Sequence, residues 1–147
     1  MPAQYKKLDN PAWHALTETH AAFATGTDAL KRYYPDIVLF AGCDPGEKDI
    51  AQKFDEVFEP GDSFFLFDDL PVLPANYQVE TVVQCLQMVC EKVAHIPITE
   101  NILPLNETNW EEMYSLVSRV FPGYYLPGTP VMGDYFGIFK EGELVSM

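Results

Sequence analysis

The chain has 147 residues, 48% hydrophobic, 14% aromatic and 21% charged, enough apolar material for one core and not the composition of a wholly disordered chain. Its 22 acidic and 9 basic residues leave a formal net charge of −13, which disfavours nucleic acid and anionic membrane surfaces as partners. Residues 1–48 carry 5 basic and 6 acidic side chains and residues 49–147 carry 4 and 16, so the surplus lies in the later part. It reads as solubilising surface, with a cationic substrate or partner as the alternative.

Asn10-Pro11 pairs an N-cap residue with a first-turn proline and predicts a short helix from Ala12 to about Leu16. Asp28–Tyr34 reads as weakly helical, and Ile37–Phe40, between Pro35 and Gly42, as a strand or buried extended segment. Asp44-Pro45-Gly46-Glu47 has the order of a helix start, and Ile50, Ala51, Phe54, Val57 and Phe58 share one helical face. A helix over about 45–58, stopped by Pro60-Gly61, follows. Phe64–Phe67 predicts a buried strand and residues 77–90, YQVETVVQCLQMVC, a long one.

An internal joint is expected near residues 94–100, followed by a strand at Ile102-Leu103. Asn106 or Thr108 caps the next helix, Thr108 forming a capping box with Glu111; its apolar face is Trp110, Met113, Tyr114, Val117, Val120 and Phe121. Pro122-Gly123 ends it. After a loop to Gly133, Tyr135–Lys140 and Glu143–Met147 flank Glu141-Gly142 and predict a hairpin.

Chemical signals are sparse. Three cysteines, Cys43, Cys85 and Cys90, show no CxxC spacing, and the last two read as small buried hydrophobes of a reduced, cytoplasmic protein. No apolar run has the length of a membrane span, and the N-terminus lacks the apolar core of a secretory signal. His14 and His20 lie six apart, a spacing that suits neither helical nor strand ligation, so no metal site is assigned. No glycine-rich phosphate loop and no nucleophile elbow occurs. The carboxylate pairs Asp55-Glu56 and Glu111-Glu112 read as solvated faces; Asp68-Asp69 ends a strand as a turn or a cleft wall. Tyr124 and Tyr125 form the candidate ligand-facing loop, with packing over a sheet as the alternative.

The order of segments carries more. Asn10, Pro11, Trp13, Ala15, Leu16, Thr19, His20, Phe23 and Ala24 are followed by Arg32, Tyr33, Pro35, Asp36 and Phe40. Pro104, Leu105, Glu112, Met113, Leu116 and Val117 come next, then Pro122, Gly123, Pro127 and Thr129. Gly133, Tyr135, Gly137, Ile138, Gly142, Leu144, Val145 and Met147 close the series. This ordered set resembles a subgroup of the GNAT superfamily of N-acetyltransferases across essentially the whole chain. One departure is local: an arginine of the family pattern is Gly128 here, within Pro127-Gly128-Thr129.

The resemblance implies an α/β (α+β) fold with a mixed, mostly antiparallel sheet, flanking helices and an incomplete C-terminal part. It places an N-terminal half-domain at about 1–97 and the start of a second domain at 98–147. The family's acetyl-CoA loop would follow the closing hairpin, so no catalytic, cofactor-binding or metal residue is carried over and no cofactor is expected for this chain. The expectation is a GNAT-like protein without acetyl transfer of its own. A fragment of an active acetyl-CoA-dependent enzyme is one alternative. A dimeric interaction or small-ligand module, pairing as a homodimer through open sheet edges, is the other.

Overall fold

The computed structural model describes residues 3–67, 69–94 and 97–147. The chain divides into two compact units: residues 1–35 with 39–88, and residues 36–38 with 89–147. Its elements are α+β throughout, helices flanking mostly antiparallel strands.

In the first unit, a 3-10 helix at Ala3–Asp9 leads into α1 (Pro11–Thr17). The Asn10 side chain accepts from the backbone N–H of Trp13 at 3.2 Å, as its N-cap chemistry requires. Its amide also donates to the Cys43 carbonyl at 3.0 Å, tying the start of α1 to the sheet. That sheet has the order β1 (Ala24–Gly26), β2 (Leu30–Tyr33), β3 (Phe40–Cys43), β4 (Phe65–Leu66); the first two pairings are antiparallel and β3–β4 is parallel. Residues 28–34 are therefore not helical. Leu30, Arg32 and Tyr33 are buried, and pairing on both sides of β2 outweighs a weak local preference.

The helix expected over 45–58 is shorter. A 3-10 turn at Ile50–Lys53 runs into α2 (Phe54–Val57). The Asp44 carboxylate accepts from Gly46 N–H at 2.7 Å and that of Glu47 from Asp49 N–H at 2.9 Å. Both acids thus close local turns instead of capping a helix. The apolar face was read correctly: Ile50, Phe54 and Phe58 join Ala29, Leu30 and Ala41 in the core. Phe58 and Phe64 stack at 3.7 Å, and Tyr77 meets Phe54 edge-on at 5.3 Å.

Tyr77 is half-buried; residues 78–94 are all exposed and form no strand. The long strand expected over 77–90 is absent, and Cys85 and Cys90 are exposed, not buried. β-branched composition favours a strand only when a partner strand supplies the ladder.

In the second unit, β5 (Ile102–Leu105), β6 (Tyr135–Lys140) and β7 (Glu143–Ser146) form an antiparallel sheet with β6 central. Glu141 (φ 54°) and Gly142 (φ 86°) both adopt left-handed backbone in the connecting turn, the geometry that matches strand twist. Asn106 caps a 3-10 turn at Glu107–Asn109, reciprocated by the Asn109 side chain, and α3 (Trp110–Val120) follows. Asn106, not Thr108, is thus the cap. Met113 is buried, with Tyr125 and Leu144, against Leu105, Trp110, Leu116, Val117, Tyr135 and Phe139. Tyr114, Val120 and Phe121, expected on the apolar face, are exposed instead.

Candidate functional site

The first unit forms a cleft of about 420 Å³ where β3 and β4 end, walled by Cys43, Asp44, Glu47, Ile50, Phe67 and Asp69 among others. Its parallel strand pair sends both chains out at the same edge, which gathers the loops after Cys43 and Leu66. Among the described residues its charged lining is carboxylate alone, and two of those three acids are the turn-closing Asp44 and Glu47. Asp69, read from sequence as half of a possible cleft wall, lies there; Asp68 lies outside the described residues.

The second unit has a comparable depression of about 410 Å³ between α3 and β7, lined by Thr108, Glu111, Glu112, Ser115, Arg119, Glu143 and Leu144. Glu111, Ser115 and Arg119 recur every fourth residue and so share one helical face, a signal present in the sequence. Glu143 joins them only because β7 packs on α3, which spacing does not reveal. Three carboxylates face one guanidinium here.

The tyrosine pair divides. Tyr124 is half-exposed, edge-on to Phe121 at 6.1 Å. Tyr125 is only 8% exposed and packs in the core. Its hydroxyl finds no hydrogen-bond partner of acceptable geometry among the described residues. Burial first, then the neighbouring Tyr135 phenol, hold its pKa far above the ordinary tyrosine value. Such a group stays neutral and is no base at physiological pH.

Gly128 has a local cause. Its N–H donates to the Asp36 carbonyl at 3.0 Å, and Thr129 Oγ1 donates to the Ile37 carbonyl at 2.6 Å. A Cβ at position 128 would lie 2.5 Å from the Asp36 oxygen. The loop therefore has no room for a side chain at position 128.

His14 meets Glu18 at 3.2 Å and His20 meets the Tyr33 hydroxyl at 2.8 Å, ordinary hydrogen-bonded histidines. His95 lies outside the described residues. Among the described residues, no three His, Cys, Asp or Glu side chains gather to hold a metal ion, and no helix is long and apolar enough to cross a membrane.

No family model matches the chain, and no curated protein matches it in sequence. A solved structure from Novosphingobium aromaticivorans, named as a GNAT-family acetyltransferase, is similar at a TM-score of 0.65 and 22% identity. The fold is GNAT-like. The likeness takes in 93% of this chain and 61% of that protein, so the chain spans less than two thirds of its length. At this identity the likeness extends to the fold and not to the activity.

Proposed function

We propose that this chain is a GNAT-like unit with no acyl-CoA site of its own, and that it does not transfer acetyl groups by itself. The observation that supports this best is the charge of its two clefts. Acetyl-CoA is recognised through a pyrophosphate, which needs convergent backbone N–H groups or cations. Asp44, Glu47 and Asp69 line one cleft; Glu111, Glu112 and Glu143 outnumber Arg119 in the other. A carboxylate about 6 Å from a phosphate costs roughly 1–3 kcal/mol at effective dielectrics between water and a protein surface, and each cleft would pay it more than once.

Backbone donors do not compensate. The nine glycines are dispersed and none forms a phosphate-binding run. The longest helix, α3, starts with Glu111 and Glu112 in its first turn, so its positive end is already matched by acids and disfavours a further anion.

The test incubates the protein with acetyl-CoA and a panel of primary amines (a polyamine, an aminoglycoside and a peptide amine) while released thiol is followed with a chromogenic disulfide. Release at the rate of the protein-free control is expected. Catalysed release with any of the amines would make the chain an acetyltransferase and overturn the reading.

A further inference from the structure

The connection from β2 to β3 takes its hydrogen bonds from the first unit at its ends and from the second in its middle. At one end the Tyr34 N–H donates to the Phe23 carbonyl at 3.0 Å, and at the other the Leu39 carbonyl accepts from the Phe65 N–H at 2.8 Å. All four residues belong to the first unit, whereas Asp36–Val38, between them, belong to the second. There the Asp36 carbonyl accepts from the Gly128 N–H and the Ile37 carbonyl from the Thr129 hydroxyl. That hydroxyl, on a residue only 5% exposed, also accepts from the Leu126 N–H at 2.8 Å. Strand connections ordinarily run over the surface, yet Ile37 and Val38 are buried. Their segment is held as part of the second unit's interior.

We propose that Gly128 and Thr129 form a clasp that makes the two units open and close as one. The second unit is complete only with residues 36–38 seated, and the pairing of β2 with β3 presents them. Ordering a free connection costs conformational entropy. That cost is already met once Leu30, Lys31 and Arg32 pair with Cys43, Gly42 and Ala41. Opening the first unit releases the segment and strips the buried Thr129 hydroxyl of its acceptor, a loss the second unit cannot repair from its own chain. Opening the second unit frees the connection and removes a restraint on β2 and β3. The coupling runs through the covalent chain on either side of residues 36–38, where Pro35 and Leu39 leave little slack. A ligand of either unit would therefore stabilise both. The clasp is independent of whether a cleft takes acetyl-CoA, so failure here would leave the preceding reading intact, and the reverse.

The experiment is amide hydrogen exchange followed by mass spectrometry on the full chain, under conditions where exchange reports the opening equilibrium. The slowest amides of β2–β3 and of β5–β6 are expected to agree in protection within about threefold and to share one urea dependence. Thr129→Val keeps the shape and removes the hydroxyl. It should speed exchange by about 10- to 100-fold in both sheets, while Thr129→Ser should leave both near the unaltered rates. In the reverse direction Ile50→Val, in the core of the first unit, should speed exchange in both sheets by about two- to tenfold. Protection that differs between the two sheets by more than about tenfold in the unaltered protein would overturn the proposal. So would a Thr129→Val effect confined to residues 102–147, the mark of a merely local role, or an Ile50→Val effect confined to the first unit. Should Thr129→Val fail to fold, the unaltered protein and Ile50→Val decide the matter.

Discussion

Arg32 is 6% exposed within β2 and its charge is answered on one side by Asp62, with the ring of Phe58 4.8 Å from its guanidinium carbon. The hydrogen bond from Arg32, with help from the Glu59 N–H, holds the Asp62 carboxyl below its usual value of 3.8. A carboxyl whose folded pKa is depressed adds stability above its unfolded pKa and loses it as pH falls through the folded one. Urea midpoints of the unaltered protein should therefore drop below about pH 4, and Asp62→Asn should flatten part of that slope while costing about 1 kcal/mol at neutral pH, Asp62 being partly solvated. A slope unchanged by the substitution would remove Asp62 from the account. Gly128 makes a steric prediction at the same scale. Gly128→Ala should lower stability by roughly 1–3 kcal/mol in thermal melts, because its Cβ meets a backbone oxygen that cannot rotate away; an unaltered melting temperature would contradict the close approach.

At the scale of elements, the closing hairpin was the most legible piece, because turn chemistry is local. Glu141 nevertheless carries φ 54° without the side chain that best tolerates it. Glu141→Asn should add about 0.5 kcal/mol, read as a rise in melting temperature, by giving the Asn-Gly pair this turn favours; a fall would contradict the turn assignment. The helix at Pro11–Thr17 was legible for the same reason, through Asn10 and Pro11. Three elements were not. β2 was hidden because pairing on both sides, a non-local effect, decides its conformation. The helix start at Asp44 dissolved because its acids close short turns instead. The strand expected over 77–90 failed in the opposite way: its composition suits a strand, but among the described residues no ladder meets it. Of the clefts, the Glu111–Ser115–Arg119 face was readable from spacing, whereas Glu143 and the wall carrying Asp69 depend on packing between segments distant in sequence.

For the whole molecule, the acidity seen in the composition becomes a statement about sites. A net charge of −13 could have been spread over surface alone, yet carboxylates also make up most of the charged residues that line the two clefts. A GNAT-like fold joined to acid-lined clefts is the combination on which the functional reading rests. It is tested most directly by isothermal calorimetry of the purified 147-residue protein titrated with acetyl-CoA at physiological salt and again at high salt, where repulsion between the acid-lined clefts and the pyrophosphate is screened. Heats indistinguishable from ligand dilution are expected. Saturable binding of acetyl-CoA at micromolar strength would contradict the absence of an acyl-CoA site in this chain.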